Sequence, residues 1–218
     1  LPIETSLGIH HAVSARKNLL LMTGSFALSI ILFLSFSVLV DCVQYLMPQL
    51  SSTPDLHISA DSGGNSVDGT LAENLRHIDG VRQVYGRRSA FGLPMRTAED
   101  ASVQSCDLIS FDEYDLDCLA KDGLLKRGSK ISKVYGDSGC VLAVLSEDSL
   151  LEPGDSIWIG EEELEIAGLL KYDLFSSDGS AGDTVTLIAS GDTFTRLAGV
   201  SGYSLLMIQL DRDAGDET

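Results

Sequence analysis

The run Leu19–Val40, "LLLMTGSFALSIILFLSFSVLV", constrains this chain more than any other feature. It holds no charged side chain. As a helix it spans about 33 Å, against a hydrocarbon core of about 30 Å. The apolar region of a secretory signal is shorter, about 7–15 residues, and ends at a small-residue cleavage site. Here the run ends in Val40-Asp41-Cys42-Val43. A lipoprotein reading would use Cys42, but Asp41 is a poor residue for the position before it. A buried soluble helix keeps a polar face, and this one offers only Thr23, Ser25, Ser29, Ser35 and Ser37. The sequence therefore predicts a membrane-spanning helix over 19–40.

Its flanks orient it. Residues 1–40 contain Glu4, Arg16 and Lys17, a balance of +1, so the formal charge of −17 on the chain leaves −18 for residues 41–218. Arg16 and Lys17 just before the span place the N-terminus in the cytoplasm, and residues after about 45 outside. Tyr45 is expected at the outer interface. Gly24, Ala27 and Ser29 are candidates for close approach by another helix, as small residues are in membranes. Residues 8–18, "GIHHAVSARKN", read as a short amphipathic helix along the inner surface. The expected organisation is an interfacial segment 1–18, the span 19–40, a linker 41–55, an outer domain 56–211 and a second linker 212–218. The first residue is not Met, and the chain closes on the polar "DRDAGDET". A piece of a longer protein is expected.

The outer part alternates apolar runs with Gly/Asp/Ser turns, the pattern of a folded mixed α/β unit. It shows no basic face for nucleic acid. "LHIS" (56–59) reads as a short strand. "TLAENLRHIDG" (70–80) reads as a helix with a Thr70/Glu73 capping box, a Leu71-Leu75-Ile78 stripe and a stop at Gly80. "VRQVYGRRSAFGL" (81–93) reads as one strand; Arg87 and Arg88 in it pair with local carboxylates or contact a partner. "SVQSCDLISF" (102–111) is a strand. "FDEYDLDCLAKDGLL" (111–125) follows as an acidic helix or loop. Its carboxylates Asp112, Glu113, Asp115 and Asp117 miss the calcium-loop pattern, since Asp117 stands where glycine is required and Gly123 where glutamate is, so a solvated acidic face is expected.

Val141–Leu145 reads as a buried strand, with Ser146 capping a short helix after it. "PGDSIWIGEEELEIAGLLKYD" (153–173) reads as a hairpin turning at Gly160-Glu161, with Ile157 and Ile159 on one face. "DTVTLIASGDTFTRLAG" (183–199) is a strand, then a helix capped near Asp192 and closed by Gly199. "YSLLMIQLD" (203–211) is a last strand. The fold class is α+β, with roughly seven strands, three or four short helices and a smaller insertion around 90–135.

Cys42, Cys106, Cys118 and Cys140 form no CxxC pair, and the four histidines add no metal-ligand spacing. A Cys106–Cys118 disulfide stays open, as do buried or free thiols. The chain contains no nucleophile elbow, P-loop, GxGxxG after a strand, or HExxH. No cofactor, metal or catalytic residue is expected.

The order of parts carries a resemblance. A basic segment precedes one span; a helix leads into "DGVRQVYGR"; an apolar strand ends in "SEDSLL"; then come "LEPGDSIWIGEEELEIAGLLK", "DTVTLIASGDTFTRLAG" and a closing strand. Gly80-Val81, Pro153-Gly154-Asp155 and "EIAGLL" are its most telling pieces. This resembles an ABC transporter permease of the FtsX/MacB type: its first membrane helix plus the extracytoplasmic core domain. The resemblance implies a separate cytoplasmic ABC ATPase as partner, a second permease copy or homologue in a dimer, and a cell-membrane location. It implies an outer domain that passes nucleotide-driven motion across the membrane or engages a substrate outside. The other readings are a single-pass receptor or adhesion protein and a membrane-anchored enzyme.

Overall fold

The computed structural model describes residues 3–46, 50–61, 64–98, 103–144, 151–175 and 184–211. The chain divides into two compact units, Leu1–Gln49 and Leu50–Thr218.

The first unit is a single helix, α1 (Ile3–Leu46). Residues 8–18 are helical as expected, but they run unbroken into the apolar segment rather than forming a helix of their own. The helix also continues to Leu46, through residues read as linker. Nothing in the sequence between Ile3 and Leu46 interrupts it: it holds neither proline nor a polar turn. The stretch Leu20–Val40 is long and apolar enough to cross a membrane, and none of it is buried. Phe26, Phe33 and Phe36 stand about two-thirds exposed, an arrangement that water disfavours and lipid does not. Ser29 Oγ donates to the carbonyl of Ser25 at 3.0 Å, so its hydroxyl is satisfied without water.

The second unit contains two sheets. A three-stranded antiparallel sheet has the order β1-β9-β2, from β1 (Leu56–Ser59), β2 (Val81–Arg87) and β9 (Leu205–Leu210). Helix α2 (Gly69–Leu75) covers one face, its Ala72 packed with Val84, Leu206 and Ile208. Its cap is Asp68, whose carboxylate accepts from Thr70 N at 2.9 Å, two residues before the expected capping box. Ile78, expected on the apolar stripe, lies beyond the helix and is exposed. His77 is exposed.

Between β2 and β9 the chain builds a closed six-stranded barrel in the order β3-β4-β8-β5-β7-β6. Its strands are β3 (Ser89–Thr97), β4 (Gln104–Phe111), β5 (Cys140–Val144), β6 (Ser156–Ile159), β7 (Glu162–Leu169) and β8 (Val185–Ser190). β4–β8 and β5–β7 pair in parallel; the other neighbours are antiparallel. The expected insertion at 90–135 is thus far larger, the whole barrel. Nine strands appear among the described residues where seven were expected. The run 81–93, read as one strand, breaks at Arg88 into strands of different sheets.

Sequence pattern explains the barrel. β5, most of β8 and the end of β4 (Leu108–Phe111) are mostly apolar because both faces are buried there. Leu108, Val141, Ala143, Leu187 and Ala189 point into the interior with residues from all six strands and Phe194. Ile109, Phe111, Leu142, Val144 and Ile188 point outward into a second core under helix α3 (Glu113–Lys121). The hairpin β6–β7 turns at Gly160-Glu161 as expected, with Ile157 and Ile159 buried. Helix α4 (Gly191–Ala198) is capped by Ser190, whose Oγ accepts from Thr193 N at 3.1 Å, rather than near Asp192; Gly199 closes it at φ 69°. The helix expected after Ser146 lies outside the described residues. No disulfide joins Cys106, Cys118 and Cys140; Cys106 and Cys118 are buried thiols.

Gly168 on β7 is a packing requirement. A Cβ there would lie 2.4 Å from Ser129 Cβ and 3.0 Å from its Cα, and Ser129 Oγ accepts from Leu169 N at 3.0 Å. Gly168→Ala is expected to destabilise the chain by about 1–3 kcal/mol, read as a lower urea midpoint at unchanged slope.

Candidate functional site: the joint between the two lobes

The sheet lobe and the barrel meet where β2 passes into β3. Three consecutive residues make the joint. Arg87 ends β2, and its side chain forks onto Asp115 of α3: Nε to Oδ2 at 2.6 Å, Nη2 to Oδ1 at 3.0 Å. Asp115 is fully buried. The Arg87 guanidinium also lies 4.2 Å from the Phe111 ring centroid, a cation–π contact strengthened by exclusion of water. Arg88 has its guanidinium 4.1 Å from the Tyr203 ring centroid and donates from Nε to Ser201 O at 3.0 Å. Its Nη1 is 3.9 Å from Asp112 Oδ1. Ser89 opens β3; its N donates to Asn65 Oδ1 at 2.9 Å, and its hydroxyl shares a 2.7 Å hydrogen bond with Ser204.

Of the two expectations for the arginines, pairing with local carboxylates is what occurs. The solvated acidic face holds for Glu113 and Asp117, both exposed, and is corrected for Asp112 and Asp115. Asp112 and Asp115 turn inward because β2 supplies their partners, while Glu113 stays exposed. Asp117 accepts from Tyr135 Oη at 2.5 Å. Asp112 Oδ2 accepts from Gly86 N at 2.8 Å. Burial nevertheless raises the Asp112 pKa above its ordinary value, the Gly86 N–H and Arg88 only partly offsetting it. Gly86 is needed for a second reason: a Cβ there would sit 2.4 Å from the Tyr203 ring. Glycine lets that ring lie flat between β2 and Arg88.

A cleft of about 540 Å³ opens along this joint. Arg76, Gln83, Tyr85 and Tyr203 line it from the sheet lobe; Phe111, Asp112, Glu113, Ser190, Gly191 and Asp192 line it from the barrel side. Arg76 donates to Val84 O at 3.3 Å and so covers the outer edge of β2. Among the described residues no group of three His, Cys, Asp or Glu side chains is placed to hold a metal, and no buried side-chain N or O lacks a hydrogen bond.

A second network ties the point of entry to the point of exit. Gln209 Nε2 donates to Ser51 O at 2.8 Å and Thr53 O at 2.9 Å. Leu210 N donates to Asp55 Oδ2 at 2.7 Å, and Asp55 N to Ile208 O at 2.9 Å. The tyrosine hydroxyl of Tyr85 donates to Ser52 O. Residues 50–55 and 208–210 of the second unit therefore lie side by side. Residues 50–55, read as linker, belong to that unit.

The expected site residues fall elsewhere. Arg16, Lys17, Gly24, Ala27, Ser29 and Tyr45 all lie in α1; Arg16 is exposed, and a Cβ at Gly24 would meet nothing within 4 Å. None of them belongs to the joint. Arg87 and Arg88 were visible in the sequence as a basic island; Ser89, Gln209 and Tyr203 carried no signal.

Two outcomes follow. Asp115→Ala leaves a buried guanidinium unpaired and should cost about 3–5 kcal/mol of stability, with the double variant Arg87→Met/Asp115→Leu recovering much of it in a urea titration. The native carboxyl of Asp112 is harder to ionise than in the unfolded chain. Its contribution is present at low pH and lost as pH rises through its raised value. The stability of the native chain relative to Asp112→Asn should therefore fall as pH rises from the carboxylate range to neutrality.

No protein-family model and no curated protein sequence matches the chain. Solved structures do. The extracellular domain of the noncanonic ABC-type transporter YknZ from Gram-positive bacteria aligns at TM-score 0.51 and 15% identity, over 68% of this chain and 75% of that one. The periplasmic region of MacB from Actinobacillus actinomycetemcomitans aligns at TM-score 0.48 and 17% identity, over 73% and 69%. A permease-protein domain from Porphyromonas gingivalis aligns at TM-score 0.45 and 15% identity, over 72% and 72%. At these identities the likeness is one of fold. The second unit has the fold of the YknZ extracellular domain.

Proposed function

We propose that this chain is part of the permease subunit of an ABC transporter, its outer unit coupling ATP-driven movement to an extracytoplasmic substrate or partner. The observation that carries this is the adjacency of residues 50–55 and 208–210. β1 and β9 run antiparallel, Gln209 bonds to Ser51 and Thr53, and Leu210 bonds to Asp55. A domain hung between two membrane spans has this form. The fold likeness to the YknZ extracellular domain supports it, as does a helix apolar enough to span a bilayer.

In this reading Arg16 and Lys17 lie at the cytoplasmic face, and Tyr45 at the outer one. Gly24, Ala27 and Ser29 meet other helices of a permease dimer. Residues from about 45 onward are extracytoplasmic. Hydrolysis of ATP belongs to a separate cytoplasmic subunit.

Affinity purification of the full-length protein from its native membrane tests the reading. An ABC-class ATPase is expected to copurify, and a membrane-impermeant maleimide is expected to label a cysteine placed at exposed Asp79 in intact cells. Purification without an ATPase, or labelling at Asp79 only after lysis, would overturn it.

A further inference from the structure

Helix α3 is rooted in the barrel by Leu116 and Leu119, both buried with Val134 and Leu142. Its polar groups reach the other lobe along its whole length. Next to its N-terminal end, Asp112 accepts from Gly86 N at 2.8 Å, and Asp115 holds Arg87. In the first turn, Tyr114 Oη donates to Gln209 Oε1 at 2.7 Å, and its ring lies 5.2 Å from that of Tyr85. At its C-terminal end, Asp122 accepts from Ser51 N at 2.6 Å and from Ser51 Oγ at 2.5 Å. One nine-residue helix thus holds the joint at its N-terminal end and grips the entry segment at both ends, by Asp122 and by Tyr114 Oη on Ser51 O at 3.3 Å. Its internal hydrogen bonds make it move as a body, whereas the segments it grips are loop and strand ends that give way more easily.

We infer that α3 energetically couples the entry segment, residues 50–53, to the interlobe joint, residues 86–89. A displacement of the entry segment shifts α3 through Asp122, and α3 carries it to Gly86 and Arg87 through Asp112 and Asp115. This is a property of the outer unit and stands whether or not the chain serves a transporter.

Hydrogen exchange on the full chain in lipid nanodiscs tests it. Asp122→Ala cuts the C-terminal tie to Ser51 and leaves Tyr114 Oη on Ser51 O at 3.3 Å. It should speed exchange of the Gly86 and Ser89 amides by about fivefold or more, while Leu187 and Ile188 in the barrel keep their protection. Coupling is reciprocal, so Asp115→Asn should speed the Ser51 amide by a similar factor. Should Asp115→Asn unfold the chain, seen as lost protection at Leu187 and Ile188, Arg87→Lys is read instead; it keeps the charge and breaks the fork. Effects confined to 50–55 in the first variant and to 86–89 in the second would overturn the inference.

Discussion

The ion pair between Arg87 and Asp115 sets the geometry on which the outer unit depends. Both charges are withdrawn from water, the carboxylate completely. A single unpaired charge there would cost several kcal/mol, so the folded state must keep the fork closed. Closing it fixes three elements at once: the last residue of β2, the ring of Phe111 at the end of β4, and the first turns of α3. Phe111 belongs to the core between barrel and helix, so an electrostatic constraint is built directly onto an apolar one. The two lobes cannot rotate freely about the Arg88 peptide while that pair holds.

Around this point the architecture is nested. The sheet lobe is begun by β1, α2 and β2 and completed only by β9, the last strand, which lies between the first two. Everything from Ser89 to Ala198 is inserted into it. The lobe therefore closes on itself late in the chain, and its closure brings residues 51–55 beside residues 208–210. Ser51, Thr53 and Asp55 bond to Gln209 and Leu210. A force applied at that place reaches β9 directly and reaches α3 through Asp122.

Much of the fold was legible in residue order. The apolar run of α1, the β6–β7 hairpin with its Gly160 turn, and the strand–helix unit closed by Gly199 all depend on neighbours in sequence. So does the apolar character of β5 and β8, which reports burial on both faces. The errors share one cause. Residues 81–93 alternate like one strand, and nothing local marks Arg88 as the point where the chain changes sheets. Asp112 and Asp115 sit among four carboxylates and read as a solvated face, because their partners Gly86 and Arg87 lie 26 and 28 residues upstream. Capping groups are expected at Thr70 and near Asp192; Asp68 and Ser190 serve, since the preceding strand or loop decides where a helix starts.

The family resemblance rested on order and spacing, and fold comparison agrees with it. What the amino-acid order settled unaided is the set of local elements and one apolar helix that water does not suit, since hydropathy and turn chemistry act over a few residues. The closure of six strands into a barrel, the placing of β9 between β1 and β2, and the joining of entry, helix α3 and joint into one network were settled only in three dimensions. Their partners lie up to 158 residues apart. Such contacts leave no local trace, because either residue would look the same in sequence with a different partner or with water.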